Sequence, residues 1–367
     1  MTIWVDGKNP ALYSSGISHW LHDLLYDFDP NLLSDIQLIL PKISEERIYP
    51  DLKLRSVDLW WPLALPRKIG HLLFDNILFG RAARKAKPGV IFSPYFDVLM
   101  PKRIPSVITI HDLCYIEAAE SYPFLQRTYF NIQMKRNLRR AKKVVTVSQS
   151  SKNLLVSLTG VSAERIIVVE NTLSSEFSEH QPTPTEISDF RRRIGSGSHY
   201  VLYTGGFENR KNIPNLLQAL KELNKDSPKV ILVVSGNQEK QWVVQIGSDS
   251  SLLASIYFTG YLSNSDLKIA YLACDAVVAP SLSEGFGRSC LEAITTGTPL
   301  ACSDIPVFRE VAGAHGIYFD PKKSKQIASG IQRAIDQGRY QAVDVDTDKR
   351  QRQVGALEKI LIDLSTE

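Results

Sequence analysis

The sequence predicts an α/β protein of two domains, each a parallel β-sheet covered by helices. Three observations carry that reading. Short β-branched runs alternate with helical patterns from one end to the other. Several of these runs are apolar throughout instead of alternating, as strands are when both faces of a sheet are covered. The chain is 367 residues long, more than one core usually organises, so two domains of roughly 180 residues are the default.

In chain order the first-half strands are Ile3–Val5, Ile36–Leu40, Val90–Phe92, Val107–Ile110, Val144–Val147 and Ile166–Val169. The second half repeats the alternation with Tyr200–Tyr203, Val230–Val234, Ile256–Phe258, Ala276–Val278, Leu300–Cys302 and Ile317–Phe319. Helical patterns such as Pro214–Leu223 and Asp266–Leu272 lie between them. The stretch from Glu179 to Glu186, His-Gln-Pro-Thr-Pro-Thr inside it, has the composition of an exposed linker. It separates a Rossmann-like domain at 1–180 from a second at 181–345, and a last apolar-periodic helix, Val354 to Leu364, lies in 346–367. In open parallel sheets ligands sit beyond the carboxyl ends of the strands, so the loops there are where chemistry is expected.

Composition excludes several classes. The 44% hydrophobic and 22% charged fractions are those of a globular chain. No run of about 18 apolar residues offers a spanning helix, and Met1-Thr2-Ile3-Trp4-Val5-Asp6 lacks the basic start and cleavage site of an export signal. Cys114, Cys274, Cys290 and Cys302 are far apart with no metal-ligand spacing, so they read as free thiols of a reducing cytoplasm. The net charge of +4 is uneven: residues 1–178 hold 22 Lys/Arg against 17 Asp/Glu, and the rest 21 against 22. The densest cluster is Lys135-Arg136-Asn137-Leu138-Arg139-Arg140-Ala141-Lys142-Lys143. It reads either as a solvated helix face or as a peripheral contact with an anionic surface such as the inner face of a membrane. Trp60-Trp61-Pro62-Leu63-Ala64-Leu65, followed by Arg67-Lys68, likewise reads as buried core or as a lipid contact. No nucleic-acid-binding module accompanies the charge.

The segment from Ser283 to Ala293, Ser-Glu-Gly-Phe-Gly-Arg-Ser-Cys-Leu-Glu-Ala, is the most informative. It follows the apolar run Ala276–Pro280. Gly285 and Gly287 let the backbone approach a ligand closely, because glycine has no Cβ. Glu292 is expected to open a helix from Leu291 to Thr296 whose first-turn N–H groups face what is bound. One carboxylate on the loop, Glu284, and one on the helix can grip two parts of a polyhydroxylated molecule. That points to a sugar joined to a nucleotide.

Other strand-end segments add to it. Tyr203-Thr204-Gly205-Gly206-Phe207-Glu208-Asn209-Arg210-Lys211-Asn212 ends a strand in two glycines, with Asn212 a candidate helix cap. Gly206 admits phosphate oxygens, Arg210 offers a fork of donors and Lys211 a point charge; a plain surface turn is the alternative. His111-Asp112 closes Val107–Ile110, where α/β active sites form, though a lone histidine there is more often a structural hydrogen-bonding residue. Tyr13-Ser14-Ser15-Gly16-Ile17 is a first loop that either presents N–H groups to an anion or simply connects. Ser148 suits a helix cap. Gly236-Asn237 and Gly260 either bracket a flat base or turn the chain. No metal site is expected: Asp27-Phe28-Asp29 and Asp344-Val345-Asp346 have the form of a clamp but lie in polar and tail segments. Neither a Gly-x-Ser-x-Gly elbow nor a phosphate-binding P-loop occurs.

Taken in order, these segments resemble the family 4 retaining glycosyltransferases of the GT-B fold, most closely over Val107–Ser151 and Tyr200–Pro321. Thr298-Pro299 after Gly297, and Phe319-Asp320-Pro321, also fit. The resemblance implies two Rossmann-like domains with parallel sheets facing across a cleft. The acceptor belongs to the first domain and the nucleotide sugar to the second, and the C-terminal helix is expected to cross back to the first. Glu292 would bond the ribose, and Arg210 and Lys211 would neutralise the diphosphate. Glu284, with the backbone of Phe286 and Gly287, would hold the transferred sugar. His111 would approach that sugar from the first domain, and Gly16 would let the first loop close on the donor. Two positions depart from the pattern. Ser15 stands where a second glycine is common, and Arg288 where an apolar residue is. Either Arg288 adds charge near the donor or it points to solvent.

The implied reaction is metal-independent, front-face transfer of a hexose of the glucose or mannose class with retention. No cofactor beyond the substrate is implied. A UDP-hexose is the favoured donor, with GDP-mannose the alternative, and the acceptor is a saccharide or lipid-linked oligosaccharide of polysaccharide synthesis. Competing readings are a sugar-nucleotide epimerase on the same fold, a catalytically silent sugar-nucleotide-binding partner, and a two-lobed solute-binding protein.

Overall fold

The structure is a computed structural model that describes residues 2–8, 16–42, 49–52, 54–60, 67–195, 199–225, 230–236 and 239–367. The chain divides into two compact units: Met1–Ile116, Tyr122–Thr172 and Asp346–Glu367 form one, and Glu117–Ser121 with Leu173–Val345 the other. The transition at 172–173 precedes the Pro/Thr stretch, whose Thr183 forms a capping box with Glu186 at the start of the helix Pro184–Ile194.

The first unit holds strands β1 (Ile3–Asp6), β2 (Ile36–Pro41), β3 (Arg55–Leu59), β4 (Val90–Ser93), β5 (Ser106–Ile110), β6 (Lys143–Thr146) and β7 (Ile166–Val168). They pair in the order β3-β2-β1-β4-β5-β6-β7, every pairing parallel. Strands β1, β4 and β5 are buried at every residue, which is why they read as unbroken apolar runs. The unexpected strand is β3. Its sequence, Arg-Ser-Val-Asp-Leu, is largely exposed. It is an edge strand, and charged side chains on an edge discourage further pairing while hiding the strand from a hydrophobicity pattern.

The second unit holds β8 (His199–Tyr203), β9 (Val230–Ser235), β10 (Ile256–Gly260), β11 (Ala276–Ala279), β12 (Leu300–Ser303) and β13 (Gly316–Phe319). Their order is β10-β9-β8-β11-β12-β13, again all parallel. Alternate residues face opposite layers. Tyr200, Leu202, Val233 and Val277 join one buried cluster, while Val201, Tyr203, Leu232, Val234 and Val278 join the other. In both sheets the strand order reverses beside the unit's first strand, between β1 and β4 and between β8 and β11. That reversal opens a crevice at the carboxyl ends of those two strands.

The terminal helix Thr347–Thr366 belongs to the first unit, against β4 and β7. Val354, Leu357, Leu361 and Leu364 form its buried stripe. Polar ties fix its N-terminal half. Arg350 Nε donates to Asp27 Oδ2 at 2.9 Å, and the Glu170 N–H donates to Gln353 Oε1 at 3.0 Å. The suspected acidic clamps thus have structural partners: Asp29 caps the helix Pro30–Asp35 and Asp346 caps the terminal helix. Among the described residues no helix is long and apolar enough to cross a membrane.

Leu361 is fully buried, so Leu361→Ala should lower stability by about 2–5 kcal/mol, read as a shift of the urea midpoint.

Candidate active site

The crevice between β8 and β11 gathers most of the second-domain residues singled out above. Glu284 lies on the loop after β11, Arg210 and Lys211 on the turn after β8, and the three side chains meet. Arg210 Nη1 donates to Glu284 Oε2 at 2.8 Å. Glu284 Oε1 accepts from Lys211 Nζ at 2.5 Å and from Ser281 Oγ at 2.8 Å. All three charged side chains are 12–17% exposed. Burial on its own would raise the Glu284 carboxyl, but Lys211 and Arg210 outweigh it and hold it down at about 2. The cluster is therefore one ionised carboxylate under two cations, with a net positive charge.

Two further bonds bring the loops into register. The Leu282 N–H donates to the Arg210 carbonyl at 2.8 Å. Asn212 holds the left-handed conformation at φ 62°, which asparagine tolerates better than most residues. The expectation that its side chain caps the following helix is corrected. No such bond forms, and Nδ2 instead donates to the carbonyls of Pro280, at 3.0 Å, and Pro321, at 2.6 Å. It ties the basic turn to the ends of β11 and β13.

The helix after the loop spans Arg288–Thr295, so it starts three residues before the expected Leu291, and Glu292 lies in its second turn. Gly287 precedes it at φ 94°, and a Cβ there would come within 2.6 Å of the Phe308 ring. Backbone angle and packing both require glycine. Gly285 and Phe286 beside it are buried. Glu292 is 5% exposed. Its Oε2 accepts from the Tyr271 hydroxyl at 2.7 Å, and Thr204, at the end of β8, lies 3.1 Å from the same hydroxyl. Arg288 neither stands apart nor points simply to solvent, since its Nε lies 3.7 Å from Glu292 Oε1. Burial raises the Glu292 carboxyl, against the pull of Arg288 and Tyr271. The two glutamates are thus shifted in opposite directions from the ordinary carboxyl. Tyr271 carried no signal in the sequence, because a tyrosine in an apolar helix reads as core.

Gly205 and Gly206 fold over the end of β8. The Tyr203 hydroxyl donates to the Gly206 carbonyl at 2.7 Å, and a Cβ on Gly205 would come within 2.3 Å of that hydroxyl oxygen. Gly260 lies at the carboxyl end of β10, two strands from β8 and so roughly 10 Å from it, at φ 71°. Its carbonyl accepts from the Gly236 N–H at 2.9 Å. Asn237 lies outside the described residues.

His111 and Gly16 belong to the first unit. His111 is 8% exposed at the end of β5. Its Nε2 donates to the Pro94 carbonyl at 2.8 Å, and the Trp20 ring packs edge-on at 4.8 Å between centroids. Burial lowers its pKa to about 4 despite the Pro94 bond and Asp112, so the ring is neutral at pH 7. Gly16 opens the helix Gly16–Tyr26, and a Cβ there would meet nothing within 4 Å among the described residues. Tyr13, Ser14 and Ser15 lie outside the described residues. So do Trp61 to Leu65; Trp60 is described and is 65% exposed. All four cysteines are buried, and none forms a disulfide. Among the described residues no group of three or more His, Cys, Asp or Glu is arranged to hold a metal ion.

Comparison with known proteins bears on the family and the fold. Residues 38–177 match the model of Glycosyltransferase Family 4, and residues 185–353 that of Glycosyl transferases group 1. O-antigen chain mannosyltransferase RfbU of Salmonella typhimurium is 30% identical over 254 residues, 68% of this chain and 67% of that protein. O-antigen chain mannosyltransferase B of Escherichia coli is 29% identical over 266 residues, 71% of this chain and 69% of that one. Among solved structures, Anabaena HepE in complex with UDP and glucose superposes with a TM-score of 0.71 at 20% identity, over 100% of this chain and 97% of that one.

Glu284 titrates near 2 in the folded protein against an ordinary value of 4.5. A depressed carboxyl contributes stability above its unfolded pKa and loses it as pH falls toward the folded one. Glu284→Gln should therefore cost about 2–3 kcal/mol at pH 7. Its gap to wild type should close between about pH 4.5 and pH 2, measured by urea unfolding at stepped pH.

Proposed function

This chain belongs to the family 4 glycosyltransferases of the GT-B fold, and from that premise we propose that it moves a hexose from a nucleoside diphosphate to a saccharide acceptor in polysaccharide synthesis. The observation that carries the reading is the Glu284–Arg210–Lys211 cluster in the β8/β11 crevice. A partly buried site with net positive charge suits a diphosphate that gains charge as it leaves. Arginine presents its N–H groups in a fixed fork and lysine carries three donors on a compact ammonium. Glu284 aims both cations and has one of its roughly four lone-pair sites left for a sugar hydroxyl. Glu292, across the same crevice, is the group for the ribose hydroxyls. The backbone of Gly206 would take phosphate oxygens, and that of Gly285, Phe286 and Gly287 the sugar. Gly260 lines the base side, and Gly16 admits the first loop. The neutral His111 ring offers a hydrogen-bonding group to the transferred sugar without adding charge.

We assign retention and independence from metal to the reaction: the acceptor attacks from the face the diphosphate leaves, and a departing phosphate oxygen takes the proton. Alignment and charge stabilisation are then the main sources of catalysis. The relatives named mannosyltransferases weigh toward a mannose donor. The family resemblance by itself leans to a UDP-hexose, on frequency. The same relatives, being transferases, weigh against an epimerase.

A second surface favours contact with a lipid-linked acceptor at a membrane. On the helix Phe124–Arg140, Phe124, Leu125 and Ile132 are exposed beside exposed Lys135, Arg136 and Arg139. Apolar groups among cations suit an anionic lipid surface. The same helix turns Gln133 and Asn137 inward, so the basic cluster is one face of a half-buried helix.

Incubation with labelled UDP- and GDP-hexoses should release nucleotide only when acceptor is present. Lys211→Ala should cut kcat roughly a hundredfold or more. Glu292→Ala should chiefly abolish the thermal shift given by the preferred nucleotide; wild-type behaviour in both variants would refute these roles. Vesicles rich in anionic lipid should float the protein at low salt, and Leu125→Asp with Lys135→Glu should release it.

A further inference from the structure

The turn after β4 is held by side chains in an unusual way. Five successive backbone carbonyls each accept a hydrogen bond from a side chain. The Pro94 carbonyl accepts from His111 Nε2 at 2.8 Å and that of Tyr95 from Ser93 Oγ at 2.6 Å. Asn137 Nδ2 donates to the carbonyls of Phe96, at 2.6 Å, and Val98, at 2.8 Å. Gln133 Nε2 donates to that of Asp97 at 2.9 Å. Asn137 Oδ1 then accepts from the Met100 N–H at 3.0 Å. Ser93, Gln133 and Asn137 are all at most 1% exposed. Buried carbonyls must be paired, but a sheet or helix normally does it.

Beneath the turn lies a buried ionic cluster. The Lys8 ammonium, 1% exposed, pairs with Asp75 and Asp97. Asp6 accepts from the Lys8 N–H at 3.0 Å through Oδ1 and lies 3.0 Å from Ser93 Oγ through Oδ2. Burial opposes the Lys8 charge, yet Asp97, Asp75 and Asp6 outweigh burial and raise its pKa. The cation is thus permanent. Lys8 reaches inward because the chain stays on the sheet past β1: the Gly7 N–H donates to the Ile39 carbonyl at 2.9 Å, and a Cβ on Gly7 would come within 2.5 Å of Leu40. Cluster and turn both lie at the carboxyl ends of β1 and β4, the point of strand-order reversal in this unit.

We propose that Asp6, Lys8, Ser93, Gln133 and Asn137 are positioning residues that hold the 94–98 turn as a rigid cradle for the His111 imidazole. The Pro94 carbonyl only accepts, so Nε2 keeps its hydrogen and, in the neutral ring, Nδ1 is the acceptor. Edge-on Trp20 and the Tyr95 ring, 6.5 Å away at 29°, limit rotation of the imidazole. The cradle fixes which nitrogen carries the hydrogen and where the other points. Its catalytic consequence rests on the role proposed above for His111; its structural consequence does not.

The test uses the full chain labelled with 15N-histidine, His111 being assigned by difference against His111→Gln. Ring-nitrogen shifts in wild type should show the Nε2–H tautomer alone. Ser93→Ala should give mixed tautomers. Its kcat should fall roughly ten- to a hundredfold, the scale of a misplaced reacting group, with donor KM within roughly twofold. Asp6→Asn, which can still bond Ser93, should keep both tautomer and turnover, whereas Asp6→Ala should lose both. A folded Ser93→Ala with wild-type nitrogen shifts overturns the proposal. If Ser93→Ala does not fold, the Asp6 pair decides: equal behaviour of the two Asp6 variants overturns it. Wild-type turnover in His111→Gln would remove the catalytic role of His111, and the nitrogen shifts would still decide the cradle.

Discussion

The candidate site is organised around one carboxylate held between two cations. Arg210 and Lys211 are adjacent on a short turn and would repel each other and splay into solvent. Glu284 draws them inward and ionises fully because both are there. The pairing joins the loop after β8 to the loop after β11, the two strands between which the sheet order reverses. Asn212 and the Leu282–Arg210 backbone bond fasten the same two loops. A diphosphate entering here would meet donors already aimed, with little reorganisation left to do.

The two units solve a similar problem with different means. In the second, a charge cluster at 12–17% exposure stays within reach of a ligand. In the first, a deeper ionic cluster around Lys8 supports a turn of backbone carbonyls that in turn holds a neutral histidine. Charge is placed where a charged group is to be met, and buried charge is used for rigidity. A buried ion pair adds little net stability over a hydrophobic substitute, so an orienting role fits its energetics better than a stabilising one.

How far the sequence could be read depended on whether the signal was local. The buried strands were legible because covering both faces of a sheet forces unbroken apolar runs, as in Val230–Val234. The edge strand Arg55–Leu59 was not, because solvent on one side permits charged residues there. The residues of the second-unit crevice were legible as types at strand ends. Their partners were not: Tyr271 looked like core, Asn212 like a cap, and Arg288 like a solvent or donor residue. Asn137 was hidden inside a basic cluster, and Gln133 just before it, where charge drew attention to the outer face.

The sequence by itself determined the class of the fold, the succession of its buried strands and the chemical kinds of group at their carboxyl ends. Those follow from periodicity and composition, which act between near neighbours. Only the tertiary structure decided that Glu284 grips Arg210 and Lys211 from 74 and 73 residues away, and that His111 leans on Pro94. Strand order brings those residues together, and burial with neighbouring charge then sets their ionisation. Neither strand order nor burial is a property of a residue and its neighbours in the chain.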